Sequence, residues 1–133
     1  FAVPRFVGMQ DEARTSTLKG LAGSIRGASA MVHGKALANE QVNGTVEAQG
    51  QTVNITYSYP NANEDDFKSI IQDLSGFDVG TTCSDVGGVT ATTDCIYFTP
   101  SGVSNNSTCA VAYQAAQNSS DSPTIHRNAT DCS

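Results

Sequence analysis

The two histidines of the chain are the side chains best suited to general acid–base chemistry at neutral pH. His33 lies in a helical pattern, and His126 lies near the end of the chain. His126 could be combined with Ser122 and with Asp121 or Asp131 into a Ser–His–Asp arrangement, but no Gly-x-Ser-x-Gly nucleophile elbow accompanies it. We therefore predict no catalytic residue and no enzymatic activity.

An acidic cluster offers the oxygen ligands that Ca²⁺ prefers. Glu64, Asp65 and Asp66 lie beside Asn61 and Asn63. Their spacing fits no EF-hand pattern, whereas carboxylates at the start of a helix are stabilised by the helix dipole. The second explanation is favoured, so the sequence predicts a helix N-terminus here, with no metal site and no cofactor.

Four cysteines lie in the second half of the chain, at Cys83, Cys95, Cys109 and Cys132. An even number with spacings unlike Cys-x-x-Cys favours disulfides over metal or redox chemistry, and therefore an oxidising compartment. Three pairings are possible from the sequence, and we favour the local one, Cys83–Cys95 with Cys109–Cys132. On the loop-entropy argument each bond would stabilise the fold by about 3 kcal/mol.

Six of the nine asparagines begin an Asn-x-Ser/Thr sequence, the acceptor pattern for N-glycosylation. They are Asn43, Asn54, Asn105, Asn106, Asn118 and Asn128. Asn, Ser and Thr are also favoured in turns. We interpret the excess as a preference of strands and turns, which an intact mass above 13.8 kDa by hexose-sized steps would contradict.

These residues must be positioned by a long helix and a polar body. Residues 1–38 read as one helix of about 55 Å, whereas a compact body of residues 39–133 is about 30–35 Å across. About a third of the helix should therefore project, and its apolar side chains need a partner, either other copies of the chain or a membrane. These side chains are Phe1, Val3, Phe6, Val7 and Met9.

Two stripes run along the predicted helix at steps of three and four residues. The apolar stripe should lie on the body, and it comprises Leu18, Leu21, Ile25, Ala28, Val32 and Ala36. The second stripe, on roughly the opposite side, comprises the small residues Gly20, Gly23, Gly27, Ala30 and Gly34. Each interior glycine costs about 1 kcal/mol of helix stability. Another backbone should therefore come close, either a loop of this chain or another copy.

The first part of the body carries strand signals and a short helix. The turn dipeptide Asn43-Gly44 is placed to join two short strands. Alternating apolar residues predict a strand from Thr52 to Tyr59. Asn63 should cap a helix that continues to about Leu74.

The second part of the body predicts antiparallel strands. Cys95–Thr99 and Thr108–Gln114 should form a hairpin, and Thr124–Arg127 should add an edge strand. The fold class is therefore α+β, with a long N-terminal helix packed on one face of an antiparallel sheet. We predict one domain, residues 1–133, made of a helical stem (1–38) and a globular head (39–133).

Charge is divided between these two parts. The net charge is −6, but residues 1–35 carry five basic against two acidic residues, whereas residues 36–133 carry two basic against eleven acidic. The acidic head argues against nonspecific nucleic-acid binding. Two interpretations stay open: solvated faces, or salt-sensitive attraction between the heads and stems of neighbouring copies.

Several segments resemble type IV pilins, most closely the mannose-sensitive haemagglutinin major pilins of Gram-negative bacteria. The N-terminal ones are PRFVGMQDEARTSTLKGL at Pro4–Leu21 and AMVHGKA at Ala30–Ala36. QTVNITYSYPNA at Gln51–Ala62, IYFTPSGVS at Ile96–Ser104 and CAVAYQAA at Cys109–Ala116 follow in the same order. The PRF-x₄-DEAR block is the most specific part of the resemblance.

The resemblance implies a curved N-terminal helix half buried in a head with a four-stranded antiparallel sheet. It implies a C-terminal disulfide loop between Cys109 and Cys132, and helices bundled in the centre of a filament. It also implies that the chain is truncated, because the membrane-spanning half-helix of pilins is missing before Phe1. The residues expected to act in assembly are Pro4, which would kink the stem, Phe6, Val7, Gly20, Gly23 and Gly27.

The function expected from the resemblance is that of a structural subunit of a type IV pilus used for adhesion. Its partners would be identical subunits, the pilus assembly machinery and surface glycans, with the inner membrane as a site before assembly and the extracellular pilus after it. The head loop from Cys109 to Cys132 would be the adhesive surface. No nucleic-acid partner is expected.

Two other functions are alternatives. The nearer one is a minor pilin or a type II secretion pseudopilin, which the abundance of the chain in sheared surface filaments would distinguish. The other is a secreted carbohydrate-binding module with an aromatic platform. That platform would consist of Tyr57, Tyr59, Tyr97 and Tyr113.

Overall fold

The N-terminal helix α1 spans Val3–Ala38. The computed structural model describes residues 3–71, 73–103 and 105–133, and for residues 3–10 it describes the backbone alone. The helix predicted over 1–38 is confirmed across the residues described. Among them, no helix has both the length and the apolar content needed to cross a membrane. The predicted apolar stripe is buried at Leu18, Leu21, Ile25, Ala28, Val32 and Ala36.

A three-stranded antiparallel sheet follows α1. Its first hairpin turns at Gln49 and Gly50, whose φ angles of 54° and 75° are left-handed, as a two-residue hairpin turn requires. The turn was predicted at Asn43-Gly44, and that position is wrong. The strands, in the order β1-β2-β3, are β1 (Gly44–Ala48), β2 (Gln51–Thr56) and β3 (Tyr59–Pro60).

The single strand predicted from Thr52 to Tyr59 is also wrong, because the chain reverses within it. Tyr57 and Ser58 have φ angles of 54° and 65°, and β3 returns antiparallel to β2. Contacts with distant segments hold Ser58 in this turn. Its backbone N–H donates to the carbonyl of Val42 at 2.8 Å, and its hydroxyl donates to the carbonyl of Gln41 at 2.8 Å.

A short helix, α2, spans Glu64–Ile70. The predicted cap is confirmed, because the Asn63 side chain accepts hydrogen bonds from the backbone N–H groups of Asp65 and Asp66. The helix ends earlier than predicted, since Ile71 already has extended backbone angles. Leu74, the predicted end, is buried although it lies outside the helix.

A four-stranded antiparallel sheet forms the second half of the molecule. The predicted hairpin between Cys95–Thr99 and Thr108–Gln114 is confirmed, with Tyr97 opposite Ala112, and the last strand lies at the edge, as predicted. A 3₁₀ helix at Cys83–Asp85 precedes the second strand of this sheet. The strands, in the order β4-β5-β6-β7, are β4 (Phe77–Gly80), β5 (Cys95–Pro100), β6 (Cys109–Gln114) and β7 (Thr124–Ala129).

The fold is therefore α+β with antiparallel sheets, but the described residues form two sheets where the sequence predicts one. Tyr113 of β6 connects them. Its hydroxyl donates to the carbonyl of Pro60 in β3 at 2.7 Å, and its ring meets that of Phe67 edge to face, with 4.7 Å between the ring centres. Burial raises the pKa of the Tyr113 hydroxyl far above its ordinary value, so the hydroxyl stays a donor.

Alternate residues of β5 belong to two separate hydrophobic clusters. Ile96 and Phe98 belong to the main cluster, which also contains the buried residues of α1 and of the first sheet. Cys95 and Tyr97 belong to a second cluster with Val86. Successive side chains of a strand point to opposite faces, so both faces of β5 are covered.

The two disulfides have the predicted pairing. Cys83 bonds to Cys95 with their Cα atoms 6.0 Å apart, which closes the segment before β5. Cys109 bonds to Cys132 with their Cα atoms 5.0 Å apart, which ties the end of the chain to β6. All four sulfurs are therefore paired within the second half of the molecule.

Candidate assembly surface

The small-residue stripe of α1 is exposed along its whole length. Gly20, Gly23, Gly27, Ala30 and Gly34 are all exposed. Apart from the adjoining backbone of α1, a Cβ atom added at any of the four glycines would meet no described atom within 4 Å. A loop of the same chain packed over these glycines, one of the two explanations proposed from the sequence, is therefore wrong. The stripe is open to solvent in the isolated subunit.

Helix geometry places this stripe opposite the core. At about 100° per residue, Gly23 and Gly27 point away from Ile25, which lies fully in the core. Two exposed cationic side chains, Lys19 and Arg26, border the stripe along one side. The resulting surface combines a stripe of small residues and a positively charged border.

The stem is fixed to the body by Arg14. Its Nη1 atom donates a hydrogen bond to the carbonyl of Cys132 at 2.9 Å, and Leu18 one turn later is fully buried. The side chains of Pro4, Phe6 and Val7, which were expected to act in assembly, lie outside the part that the structure describes.

The two histidines form hydrogen bonds with main-chain carbonyls. The His33 ring stacks on Tyr59 with 3.8 Å between ring centres, and its Nδ1 lies 2.7 Å from the carbonyl oxygen of Ser58. The Nε2 atom of His126 lies 3.1 Å from the carbonyl oxygen of Gly87. That contact holds the segment closed by the first disulfide against β7.

The Ser–His–Asp arrangement drawn from the sequence is not assembled. The Asp121 carboxylate accepts from the backbone N–H of Gln117 at 2.9 Å. The Asp131 carboxylate is hydrogen-bonded by the hydroxyl and the backbone N–H of Ser133, and these two contacts lower the Asp131 pKa. Each carboxylate therefore holds a local turn rather than the imidazole of His126.

In the acidic cluster at the start of α2, Glu64 and Asp66 are paired separately, each with a different side chain. Glu64 forms an ion pair with Lys68 at 2.8 Å, which raises the Lys68 pKa. The buried carboxylate of Asp66 accepts from the side-chain amide of Asn54 at 3.3 Å. Among the described residues, no group of three or more His, Cys, Asp or Glu side chains could hold a metal ion.

The four tyrosines do not share a surface. Tyr113 is fully buried in the main cluster, and Tyr97 lies in the second cluster with its hydroxyl accepting from Asn106 at 2.9 Å. Tyr59 is half-buried against His33, and Tyr57 is half-buried in the β2–β3 turn. The prediction that the four tyrosines form an aromatic platform, as in a carbohydrate-binding module, is therefore wrong.

Comparison with known proteins does not assign the chain to a family. No family model, curated protein or solved structure matches the chain. The small-residue stripe and its cationic border are therefore interpreted from their own geometry.

Proposed function

We propose that the protein is a structural subunit of a type IV pilus, which assembles by packing α1 against α1 of identical subunits. The exposed stripe of Gly20, Gly23, Gly27 and Gly34 carries this proposal. The proposed partners are copies of the chain and the machinery that assembles them. The proposed location is the extracellular filament, preceded by the inner membrane.

The cost of the glycines supports an intermolecular role. Four glycines within a helix interior lower its stability by about 1 kcal/mol each relative to alanine. In the isolated subunit nothing compensates this cost, since no described atom lies near the positions where their Cβ atoms would be. Small residues allow two helix backbones to approach closely. A second helix placed on the stripe would gain the contacts that the subunit alone lacks.

Charge also supports contact between copies. Lys19 and Arg26 border the stripe, whereas residues 36–133 carry a net charge of −9, from eleven acidic and two basic residues. A stem from one subunit would therefore be attracted to the head of a neighbour. Because exposed charges are screened by salt, this contribution should weaken as ionic strength rises.

Substitution of Gly23 tests the proposal in cells that produce the protein from its native gene. Gly23→Leu should abolish surface filaments because the side chain would keep a second helix away from the stripe. The same change should stabilise the isolated chain by about 1 kcal/mol, because leucine is the better helix former. Filaments are measured by shearing and immunoblotting, and stability by urea unfolding.

Ser24→Leu is the matched control, because Ser24 is exposed on α1 outside the stripe. This variant should assemble normally. If Gly23→Leu assembles as well as Ser24→Leu, packing through the stripe is wrong. A chain that is scarce in sheared filaments would instead be a minor subunit or a pseudopilin.

A further inference from the structure

Asn43-Gly44 is the only Asn-Gly dipeptide in the sequence. Both residues are exposed, and Gly44 has a φ of 109°, which favours glycine. Because glycine has no side chain, nothing on Gly44 shields its backbone nitrogen from the side chain of the residue before it. The Gly44 nitrogen is therefore sterically open to a reaction with the side-chain amide of Asn43.

The Asn43 side chain is polarised for attack at its Cγ atom. Its Oδ1 accepts a hydrogen bond from the backbone N–H of Tyr57 at 3.2 Å. A nucleophile that attacks Cγ places negative charge on Oδ1, and a donor already aimed at that oxygen stabilises the charge. Among the described residues, the Nδ2 atom of Asn43 has no hydrogen-bond partner. No protein contact therefore retains the group that would leave.

Pairing at the start of β1 controls how often the reaction can occur. Gly44 is the first residue of β1 and lies opposite Ile55. The terminal pair must open before the Gly44 nitrogen can approach Asn43 Cγ, and strand ends open more readily than strand interiors. Residues 42–45 are all exposed, so little burial opposes this opening.

We propose that Asn43 is a site of spontaneous deamidation and isomerisation, which use only water. The deprotonated backbone nitrogen of Gly44 forms a bond to Asn43 Cγ, and the Cγ–Nδ2 bond breaks. The proton lost by Gly44 is balanced by the one that Nδ2 gains as it leaves as ammonia. Water then opens the succinimide ring. Opening at Cγ gives aspartate, whereas opening at the main-chain carbonyl carbon gives isoaspartate, with the chain running through Cγ.

The segment that would be modified holds the β2–β3 turn. Ser58 donates its backbone N–H to the carbonyl of Val42 and its hydroxyl to the carbonyl of Gln41, both at 2.8 Å. Gln41 Nε2 donates to the main-chain carbonyl of Asn43 at 2.6 Å. Isoaspartate lengthens the main chain by one methylene and exchanges the roles of the two acceptors, the main-chain oxygen and Oδ1. The contacts to Gln41 and Tyr57 cannot both be kept.

The effect of isomerisation should extend from the turn to α1. The carbonyl oxygen of Ser58 lies 2.7 Å from Nδ1 of His33, whose ring stacks on Tyr59. Isoaspartate at position 43 therefore weakens the turn and its contact with α1 as the protein ages, whereas aspartate retains an acceptor for the backbone N–H of Tyr57. Neither the site nor its chemistry depends on the proposed filament function.

Incubation of the folded 133-residue chain at neutral and mildly alkaline pH, followed by peptide mass mapping, tests the site. Asn43 should be the first of the nine asparagines to show the mass gain of amide replaced by carboxylate. Its rate should rise in proportion to hydroxide concentration, because the nucleophile is a deprotonated nitrogen. An earlier gain at any other asparagine, or a rate independent of pH, would overturn the proposal.

Asn43→Asp is the matched control for the structural effect, because it carries the aspartate product from the start. The isoaspartyl chain, purified from the aged sample, should lose the native amide NMR signals of Tyr57 and Ser58. Freshly prepared Asn43→Asp should keep them near their native positions. Identical spectra for these two proteins would show that isomerisation leaves the turn intact, against the proposal. Filament formation is scored separately with Gly23→Leu, so each proposal can fail without the other.

Discussion

Asparagine and aspartate side chains close the loops of this protein by a repeated local hydrogen-bond pattern. The side-chain oxygens of Asn105, Asn118 and Asn128 each accept from both the backbone N–H and the hydroxyl of the Ser or Thr two residues later. Asp73 does the same with Ser75. Such turns use Asn or Asp followed two residues later by Ser or Thr. Turn formation therefore explains three of the six Asn-x-Ser/Thr sequences, and glycosylation is not needed to explain them.

The pKa of Asp73 reports on one of these turns. Hydrogen bonds from the hydroxyl and the backbone N–H of Ser75 lower the Asp73 pKa below that of an ordinary aspartate. The resulting stabilisation is present above the pKa of the unfolded chain and is lost as pH falls through the lower pKa of the folded chain. Ser75→Ala should raise the Asp73 pKa, as measured by NMR titration of its side-chain carbon.

Asp131 is the internal control for that titration. Its pKa is lowered in the same way by Ser133, so Ser75→Ala should leave it unchanged. An Asp73 that titrates identically in both proteins would show that the Ser75 hydroxyl does not favour the carboxylate.

Single residues were predictable from the sequence where their role is local. Asn63 was identified as a cap because a cap needs only the two or three residues that follow it. The turn at Tyr57 and Ser58 could not be predicted in the same way. It is held by contacts with Gln41 and Val42, which are distant in the sequence, and no sequence signal marks Tyr57 as left-handed.

At the level of elements, the two turns of the first sheet show how tertiary contacts override local preference. Asn43-Gly44 is the stronger turn signal, yet the hairpin turns at Gln49 and Gly50. The Asn43 side chain instead accepts from the backbone N–H of Tyr57. The Asn43 side chain therefore supports the β2–β3 turn. That turn was not predicted, because apolar residues alternate through the whole of Thr52–Tyr59.

The β1–β2 turn can be improved by giving it the residue that its geometry favours. Gln49→Asn would create Asn-Gly at two left-handed positions, and should stabilise the protein by about 0.5 kcal/mol. Urea unfolding measures the change. Gln51→Asn, in the exposed start of β2, is the control and should give no stabilisation, because asparagine is unfavourable in strands. Equal midpoints for Gln49→Asn and the wild type would contradict the turn assignment.

At the scale of the whole molecule, each of the two disulfides stabilises a different segment of the second half of the chain. The bonds close segments with sequence separations of 12 and 23. Because loop-closure entropy grows only with the logarithm of length, each should contribute about 3 kcal/mol, with the second larger by about 0.5 kcal/mol. Paired Cys→Ala substitutions at Cys83/Cys95 and at Cys109/Cys132, followed by urea unfolding, measure both values.

Comparison of the two double variants serves as its own control. Each variant keeps one disulfide, so a general effect of removing buried cysteines is shared between them. An unfolding midpoint that stays at the wild-type value in either variant would show that the corresponding loop is already restricted in the unfolded chain.

The class of the whole fold follows from the order of its elements, one long helix and then strands, which predicts α+β. The division into two sheets was not predictable. It depends on the reversal at Tyr57 and Ser58, and on the hydrogen bond from Tyr113 to Pro60 across 53 positions of sequence. Neither leaves a pattern in the neighbouring residues.

The coverage of β5 and β6 on both sides limits how the molecule can grow into larger structures. All six residues of β5 and five of six in β6 are buried, so neither of these two strands offers a bare plane for lamination onto another β-layer. A polymer of this protein would therefore leave β5 and β6 covered and be built from other surfaces, such as its rod, its strand margins or its loops. Such a polymer would keep every subunit's interior as it is in the monomer.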